Sequence, residues 1–235
     1  MTELLYLKDS YAKEFTANII SANNNSIVLD KTLFYPSGGG QPADTGKIVF
    51  NSSEYKVLNV KKDPAGIIHE VDKEGLRAGD VITGSIDWDR RCKLMRSHTA
   101  VHVLVSVICS ETSALITGNQ IGIEKSRIDF NLDSFDRSKI QEYVEKANNL
   151  IQKDLPVSID FTTRDKALQD QSLFKLMKGF PEHIKDIRIV TIGEIDRQAD
   201  GGTHVRSTKE IGNIELLECE NKGKNNRRIY FKLRG

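Results

Sequence analysis

Two kinds of hydrophobic pattern divide this chain. Up to about Asp87, short apolar segments alternate with turn residues and predict β-strands in FTANIISA, SIVLD, GKIVF, YKVLNV, IIHEV and VITGSIDW. Strands of this length and spacing are typical of a small β-barrel or sandwich. After Asp87 the apolar period becomes helical, so we predict a boundary between a β-barrel domain, residues 1–87, and a second domain, residues 88–235.

The helical segment that opens the second domain is DRRCKLMRSHTAVHVLVSVICSE, residues 89–111. Asp87 and Asp89 are suited to cap its N-terminus and to complement the helix dipole. Apolar and histidine positions recur at intervals of three and four, and they are Leu94, His98, Val101, His102, Val105 and Ile108. His98 and His102 lie one helical turn apart on the same face, so together they could hold one metal ion.

The rest of the chain predicts alternating strands and helices, which makes the fold class α+β. After a turn at Gly118 and Asn119 we expect a strand in GIEKSRIDFNL, an amphipathic helix from Asp136 to Lys153, a strand in VSIDFTT, a helix over 164–177, a strand in IRIVTIGEID and a final hairpin of IGNIELLECE with RRIYFKL. The strand in IRIVTIGEID leads into the loop that contains Asp200.

A second cluster of candidate metal ligands follows in Asp-Gly-Gly-Thr-His, which places Asp200 four residues before His204. Three of the five histidines of the chain fall in these two motifs. The other two, His69 and His183, are interpreted as ordinary polar residues. Zinc is bound by nitrogen, sulfur or carboxylate ligands, so the sequence predicts one zinc site at His98, His102 and His204. Asp200 either completes the coordination shell or orients a bound water, and the spacing favours neither role.

A loop rich in glycine, LFYPSGGGQPADTG, interrupts the strands of the first domain. Gly38, Gly39 and Gly40 allow backbone conformations that other residues avoid, so their amides could bind a phosphate or another polar group. A tight turn is the simpler interpretation of the three glycines. Gln41 and Thr45 add an amide and a hydroxyl, which suit the loop for recognising a small polar group.

Basic residues precede the histidine pair at Arg90, Arg91, Lys93 and Arg96. Such a cluster is either a solvated helix face or a contact for phosphates, and we predict Arg91 and Arg96 as substrate contacts. The formal net charge of +1 argues against a protein that coats nucleic acid without specificity. The three cysteines form no C-x-x-C pair, and no apolar run is long enough to span a bilayer. We therefore expect a soluble cytoplasmic protein.

Three motifs occur in one order along nearly the whole chain: FYPSGGGQPADTG, RSHTAVH and DGGTHV. Together they resemble the editing domain of alanyl-tRNA synthetases and the free-standing editing proteins called AlaX, in particular the medium-length type. The resemblance implies an N-terminal β-barrel similar to a translation-factor domain, followed by an α/β editing domain shared with alanyl- and threonyl-tRNA synthetases.

The resemblance also implies an activity: deacylation of tRNA(Ala) mischarged with serine or glycine. Zinc at His98, His102 and His204 would activate water or position the substrate, Thr45 would recognise the serine hydroxyl, and Gln41 would contact the substrate. The family pattern Cys-Gly-Gly-Thr-His places a zinc ligand at its first position, where this chain has Asp200. Four protein ligands therefore do not follow from the motif alone.

Two other functions stay open on the sequence. One is a zinc-dependent hydrolase of a small ester or amide. The H-E-x-x-H glutamate is missing, since Thr99 and Ala100 follow His98, which weakens a metalloprotease. The other is a non-catalytic module that binds tRNA and in which zinc is structural. The sequence does not predict an oligomeric state.

Overall fold

The computed structural model describes residues 2–64, 66–132, 136–170, 173, 186–223 and 226–235. The chain divides into two compact units, Met1–Lys93 and Leu94–Gly235. The division after Lys93 falls within the helix Trp88–Thr112, and the predicted boundary near Asp87 lies just before that helix. The assignment of a separate role to residues 1–87 and 88–235 stays a prediction.

A closed barrel of six strands forms the first unit, in the order β2-β3-β7-β6-β5-β8. The strands are β2 (Glu14–Asn23), β3 (Ser26–Leu29), β5 (Gly46–Phe50), β6 (Ser53–Asp63), β7 (Gly66–Val71) and β8 (Val81–Ile86). A short parallel pair, β1 (Glu3–Leu4) with β4 (Lys31–Thr32), accompanies the barrel. Alternate side chains such as Ile19, Ile48 and Ile82 are buried inside, as the period of two requires. The predicted strands and the barrel are confirmed.

The glycine-rich segment forms a loop, as predicted, and its centre is a tight turn. Gly38 and Gln41 exchange two backbone hydrogen bonds of 3.0 and 2.9 Å. Between them, Gly39 and Gly40 have φ angles of +59° and +85°. Two consecutive residues with positive φ are what a type I′ turn requires, and glycine adopts this conformation without the steric penalty of a Cβ. The two central glycines are therefore explained by backbone geometry.

Arg91 is fully buried in the first unit and forms an ion pair with Asp44, at the end of the glycine-rich loop. Its Nε donates to both carboxylate oxygens of Asp44, at 3.1 and 3.0 Å. The two terminal nitrogens donate to the carbonyls of Ser10, at 3.0 Å, and Leu33, at 2.7 Å. Asp44 also accepts a 2.7 Å hydrogen bond from the backbone amide of Tyr35. The guanidinium of Arg91 is therefore buried and bound within the barrel unit, which gives it a structural role; its assignment as a substrate contact stays a prediction.

We predict that Arg91→Met strongly destabilises the barrel, by about 3–5 kcal/mol, because it leaves the carboxylate of Asp44 buried without its cation. Urea unfolding followed by the fluorescence of Trp88, the only tryptophan, measures this effect, since Trp88 packs against the barrel core. The matched control is Lys47→Met, which removes an exposed ion pair of 3.0 Å with Glu54. Exposed pairs contribute little, so equal destabilisation by the two variants would contradict the prediction.

His69 is the second buried polar residue of the barrel. It is 0% exposed, and its Nε2 lies 2.8 Å from the hydroxyl of Thr32, which also accepts the backbone amide of Phe34. Burial lowers the pKa of His69 from 6.5 to about 4, because the barrel interior disfavours the charged imidazolium. The sequence interpretation of His69 as an ordinary polar residue missed this burial. His183 lies outside the described residues.

The lowered pKa of His69 predicts a loss of stability in acid. Between pH 6.5 and 4 the unfolded chain binds a proton at this residue and the folded chain does not. The free energy of unfolding therefore decreases as the pH is lowered from 6.5 to 4. The full shift corresponds to about 3 kcal/mol. His69→Gln removes the titration, and its free energy of unfolding, measured by Trp88 fluorescence, should fall less than that of the unmodified protein. Identical pH profiles would contradict the prediction.

Helix α1 (Trp88–Thr112) continues from the barrel unit into the second unit. Asp87 caps its N-terminus as predicted, since its carboxylate accepts the backbone amide of Arg90 at 3.1 Å. Every residue from 97 to 108 is buried. The sequence predicted one apolar face, whereas the structure buries this part of the helix on all sides. The opposite face carries the short side chains of Ala100, Val103 and Ser106, which are compatible with close packing.

The second unit contains two antiparallel sheets. One has the order β14-β15-β10-β9 and the other β11-β12-β13. The strands are β9 (Ile116–Gln120), β10 (Ser126–Phe130), β11 (Val157–Thr163), β12 (Asp186–Ile192), β13 (Asp196–Ala199), β14 (Asn213–Asn221) and β15 (Arg227–Arg234), and the helices are α2 (Arg137–Ile151) and α3 (Arg164–Gln169). Strands and helices in both units confirm the α+β class.

Three predictions for the second unit need correction. Gly118 and Asn119 lie inside β9 and pair with β10, so the predicted turn is wrong. IRIVTIGEID does not form one strand, because Gly193 adopts a φ of +45° and turns the chain back as β13. The predicted helix over 164–177 ends at Gln169, and its positions 171, 172 and 174–177 lie outside the described residues. Among the residues that the structure describes, no helix combines the length and apolar character needed to cross a bilayer.

Candidate metal centre

Four side chains from two segments of the second unit meet at one point. They are His98 and His102 on α1 and Asp200 and His204 in the loop that follows β13. One ligand atom from each lies within 4.8 Å of all the others. The three imidazoles are almost completely buried, and the side chain of Asp200 is 22% exposed. The two motifs that the sequence placed far apart are therefore adjacent, and the cluster could hold a metal ion.

The Nε2 atoms of the three histidines all face the carboxylate of Asp200. His204 Nε2 lies 3.1 Å from Oδ1, while His98 Nε2 and His102 Nε2 lie 3.5 and 3.8 Å from Oδ2. The backbone amide of Gly202 donates to Oδ1 at 2.6 Å and fixes the rotation of the carboxylate. Oδ2 is thereby directed at the two helix histidines.

The opposite nitrogens of two histidines are held by residues that the sequence did not single out. Asp196 on β13 lies 2.8 Å from Nδ1 of His102 and also accepts the side-chain amide of Gln198 at 2.7 Å. The hydroxyl of Thr99 lies 3.1 Å from Nδ1 of His204. An imidazole held at Nδ1 keeps Nε2 available for a metal, and such partners are usual around metal-binding histidines. The alternation of Asp196 and Gln198 along β13 was the only signal in the sequence.

Two imidazoles and the carboxylate of the cluster have charge states that suit a bound cation. Burial lowers the pKa of His98 well below its usual value and that of His204 to about 4, so both imidazoles keep their lone pairs at neutral pH. Burial also lowers the pKa of His102, but the hydrogen bonds to Asp196 and Asp200 outweigh it and raise the value to about 9. Burial would raise the pKa of Asp200, but the three histidines lower it well below the usual range, so the carboxylate stays ionised.

Three nitrogens and one carboxylate oxygen form a donor set that zinc accepts. None of the three cysteines belongs to the cluster. The chemistry of the side chains present therefore fits the zinc ion predicted from the sequence, with Asp200 among the groups that face the site.

The predicted substrate-binding residues of the glycine-rich loop lie in the first unit. Gln41 is 2% exposed, Gly39 is exposed at the tip of the turn, and Thr45 is half-buried beside a groove that Lys47 and Ser85 also line. The carbonyl of Thr45 accepts the backbone amide of Asp87 at 2.8 Å. The assignment of these residues to substrate binding stays a prediction.

Arg96 is bound within the second unit. Its guanidinium donates to the carbonyl of Ile211, at 3.2 Å from Nε and 2.9 Å from Nη2, and to the carbonyl of Gly235. These contacts give Arg96 a structural role in joining α1 to the C-terminal strand. Its assignment as a phosphate contact stays a prediction.

Gly202 gives the sharpest test of the centre. A Cβ at this position would lie 2.1 Å from Cε1 and 2.4 Å from Nδ1 of His98, whereas a Cβ at Gly201 would meet nothing within 4 Å. We therefore expect Gly202→Ala to displace His98 and to lower the bound zinc measured by elemental analysis, and Gly201→Ala to leave it unchanged. Full zinc content in Gly202→Ala would contradict the packing of His98 against this loop.

Comparison with known protein families gives two matches. Residues 3–90 match the class II (A) tRNA synthetases, and residues 187–230 match the threonyl and alanyl tRNA synthetase second additional domain. The second match includes Asp200 and His204, while the first ends just inside α1.

Individual relatives cover the chain more completely. It is 48% identical to the alanyl-tRNA editing protein AlaX-M of Methanosarcina barkeri, over 99% of each chain. Identity to the AlaX-M protein of Saccharolobus solfataricus is 44% over the full length of both. The alanine–tRNA ligase of Pyrococcus abyssi is 38% identical over 93% of this chain, which spans 24% of that enzyme. Because these AlaX-M proteins are more than 40% identical over nearly the whole of both chains, the chain belongs to the AlaX-M family of alanyl-tRNA editing proteins.

Proposed function

We propose that this protein hydrolyses the ester that links a wrong amino acid to the terminal ribose of tRNA(Ala). Serine is the amino acid we expect it to remove, and glycine is the second candidate. One observation carries the proposal: three imidazoles and a carboxylate converge within 4.8 Å in a chain that belongs to a family of alanyl-tRNA editing proteins. A hydrolytic site for an ester needs such a polar, buried centre with an opening to solvent, and the 22% exposure of Asp200 provides the opening.

We further propose that the centre binds one zinc ion per chain, through His98, His102, His204 and Asp200. When bound, zinc would act as a Lewis acid or lower the pKa of a water molecule, or it would position the substrate. Other residues of the chain orient these ligand atoms for zinc. Asp196 and Thr99 orient two imidazoles, and the amide of Gly202 holds Oδ1 of Asp200 so that Oδ2 is directed at the histidines of α1.

Recognition of the amino acid is assigned to the glycine-rich loop. Thr45 would bind the hydroxyl of serine, and Gln41 together with Gly38, Gly39 and Gly40 would contact the substrate. A pocket that hydrogen-bonds a hydroxyl discriminates against an analogue without one, because its own polar groups would then lack partners. This difference would spare tRNA(Ala) that carries alanine.

A second candidate is a module that binds tRNA without hydrolysis and uses zinc only to stabilise its fold. The observation that favours it is the position of Asp200, since a fourth protein donor would close a tetrahedral shell and leave no place for water. Binding of the tRNA without release of the amino acid would support this candidate.

The deciding experiment is a deacylation assay with tRNA(Ala) that carries serine, glycine or alanine. We expect the purified protein to release serine and to leave the alanyl ester largely intact. His98→Ala should lose both bound zinc and turnover, because it removes one donor. The control is His69→Gln, which changes a histidine of the barrel outside the cluster and should keep zinc and activity at neutral pH.

Several results would contradict the proposal. Equal decay of the seryl ester with and without protein would exclude the hydrolysis. Unchanged zinc content in His98→Ala would exclude His98 as a ligand. Rapid hydrolysis of small aminoacyl esters in the absence of tRNA would instead support a hydrolase of small esters or amides.

A further inference from the structure

We propose that Arg188 is a positioning residue of this centre, which holds the main chain of Asp200 so that the carboxylate faces the three histidines. The inference deepens the proposed function, since it rests on zinc binding at that site. Arg188 belongs to neither motif that marks the centre in the sequence.

Arg188 binds both backbone groups of Asp200. Its Nη1 donates to the carbonyl of Asp200 at 2.9 Å, and its own carbonyl accepts the backbone amide of Asp200 at 3.1 Å. The side chain is buried, with the residue only 5% exposed. One residue on the central strand of the three-stranded sheet therefore fixes the peptide units on either side of the Asp200 Cα.

The loop needs such an anchor at this point. Pairing between β12 and β13 ends at Ile189 with Ala199, so Asp200 is the first residue beyond the regular ladder. The next two residues, Gly201 and Gly202, restrict the backbone very little. Without a partner for the carbonyl of Asp200, the direction of its carboxylate would depend on a loop with many accessible conformations. The guanidinium of Arg188 removes that freedom without occupying the carboxylate itself.

The sheet directs Arg188 towards the centre. Along β12, Ile187 and Ile189 pack into an apolar cluster with Ala167 and Ala199, so the side chain of Arg188 lies on the opposite face. That face also carries Gln198 and Asp196, which pair in register with Val190 and Ile192. One face of two adjacent strands thus supplies the contact to Nδ1 of His102 and the contact to Asp200.

The positive charge of Arg188 and its hydrogen bond to Asp200 have opposite effects on the affinity of the centre for a metal ion. The guanidinium lies 2.9 Å from the carbonyl of Asp200, so its positive charge is close enough to act on the cluster. A cation there also repels a bound metal ion. If charge dominated, removing Arg188 would tighten zinc binding; if positioning dominates, the same change weakens it.

Zinc affinity of the full chain therefore tests the inference, measured by competition with a chromophoric chelator. Arg188→Met should weaken zinc binding by about 10–100-fold, the usual effect of losing a residue that orients a ligand. Arg188→Lys keeps a donor and the charge and should restore most of the affinity. The control is Arg197→Met on the neighbouring strand, where an exposed guanidinium pairs with Asp170 at 2.8 Å, and it should leave the affinity unchanged.

Equal or tighter zinc binding by Arg188→Met would overturn the inference, and so would a loss of affinity in Arg188→Lys as large as that in Arg188→Met. Should Arg188→Met fail to fold, as judged by circular dichroism, the neutral and polar Arg188→Gln replaces it, with the same expected weakening. The assay needs no tRNA. Zinc binding without deacylation would contradict the proposed function and leave this inference standing, whereas an unmodified protein that binds no zinc would overturn both.

Discussion

The candidate metal centre of the second unit depends on one polar contact, between the partly exposed carboxylate of Asp200 and three buried imidazoles. Burying so many polar atoms is unfavourable unless each has a partner. Here Thr99 and Asp196 hold two imidazoles from behind, and Gly202 holds the carboxylate. A bound cation would satisfy the remaining lone pairs, which all point to one place. The cluster is therefore understandable as a preformed ligand set.

Complete burial of α1 explains how two ligands of this set are fixed. A histidine on a solvated helix face can change its rotamer freely, whereas His98 and His102 are enclosed by packed neighbours on a helix that is buried from 97 to 108. Ligand positions on such an element are more precise than positions on a loop. The loop from Asp200 to His204 lacks this rigidity, so its geometry comes from contacts with the helix and with β12.

The sequence predicted the barrel, the helix and the four cluster residues because each depends on a local pattern. Strand period, helical spacing and motif identity can all be read within a few residues. Thr99 and Asp196 could not be assigned roles in this way, because their contacts lie 105 and 94 residues away in the sequence. The role proposed for Arg188 arises from strand register and from a contact outside both motifs. Gly118 and Asn119 were placed in a turn for a related reason: their turn propensity is local, while their pairing with β10 is not.

Arg91 shows that a local pattern of charged residues also does not reveal contacts with distant parts of the chain. A basic residue in a basic run is usually solvated, whereas Arg91 is buried in an ion pair with Asp44. Arg90 donates to the carbonyl of Ala43, at 3.2 Å from Nε and 3.1 Å from Nη2, and Arg96 to that of Ile211. Only Lys93 of this group is exposed. Most of the positive charge before the histidine pair therefore stabilises the two units internally, and the cluster cannot by itself be counted as a surface for RNA.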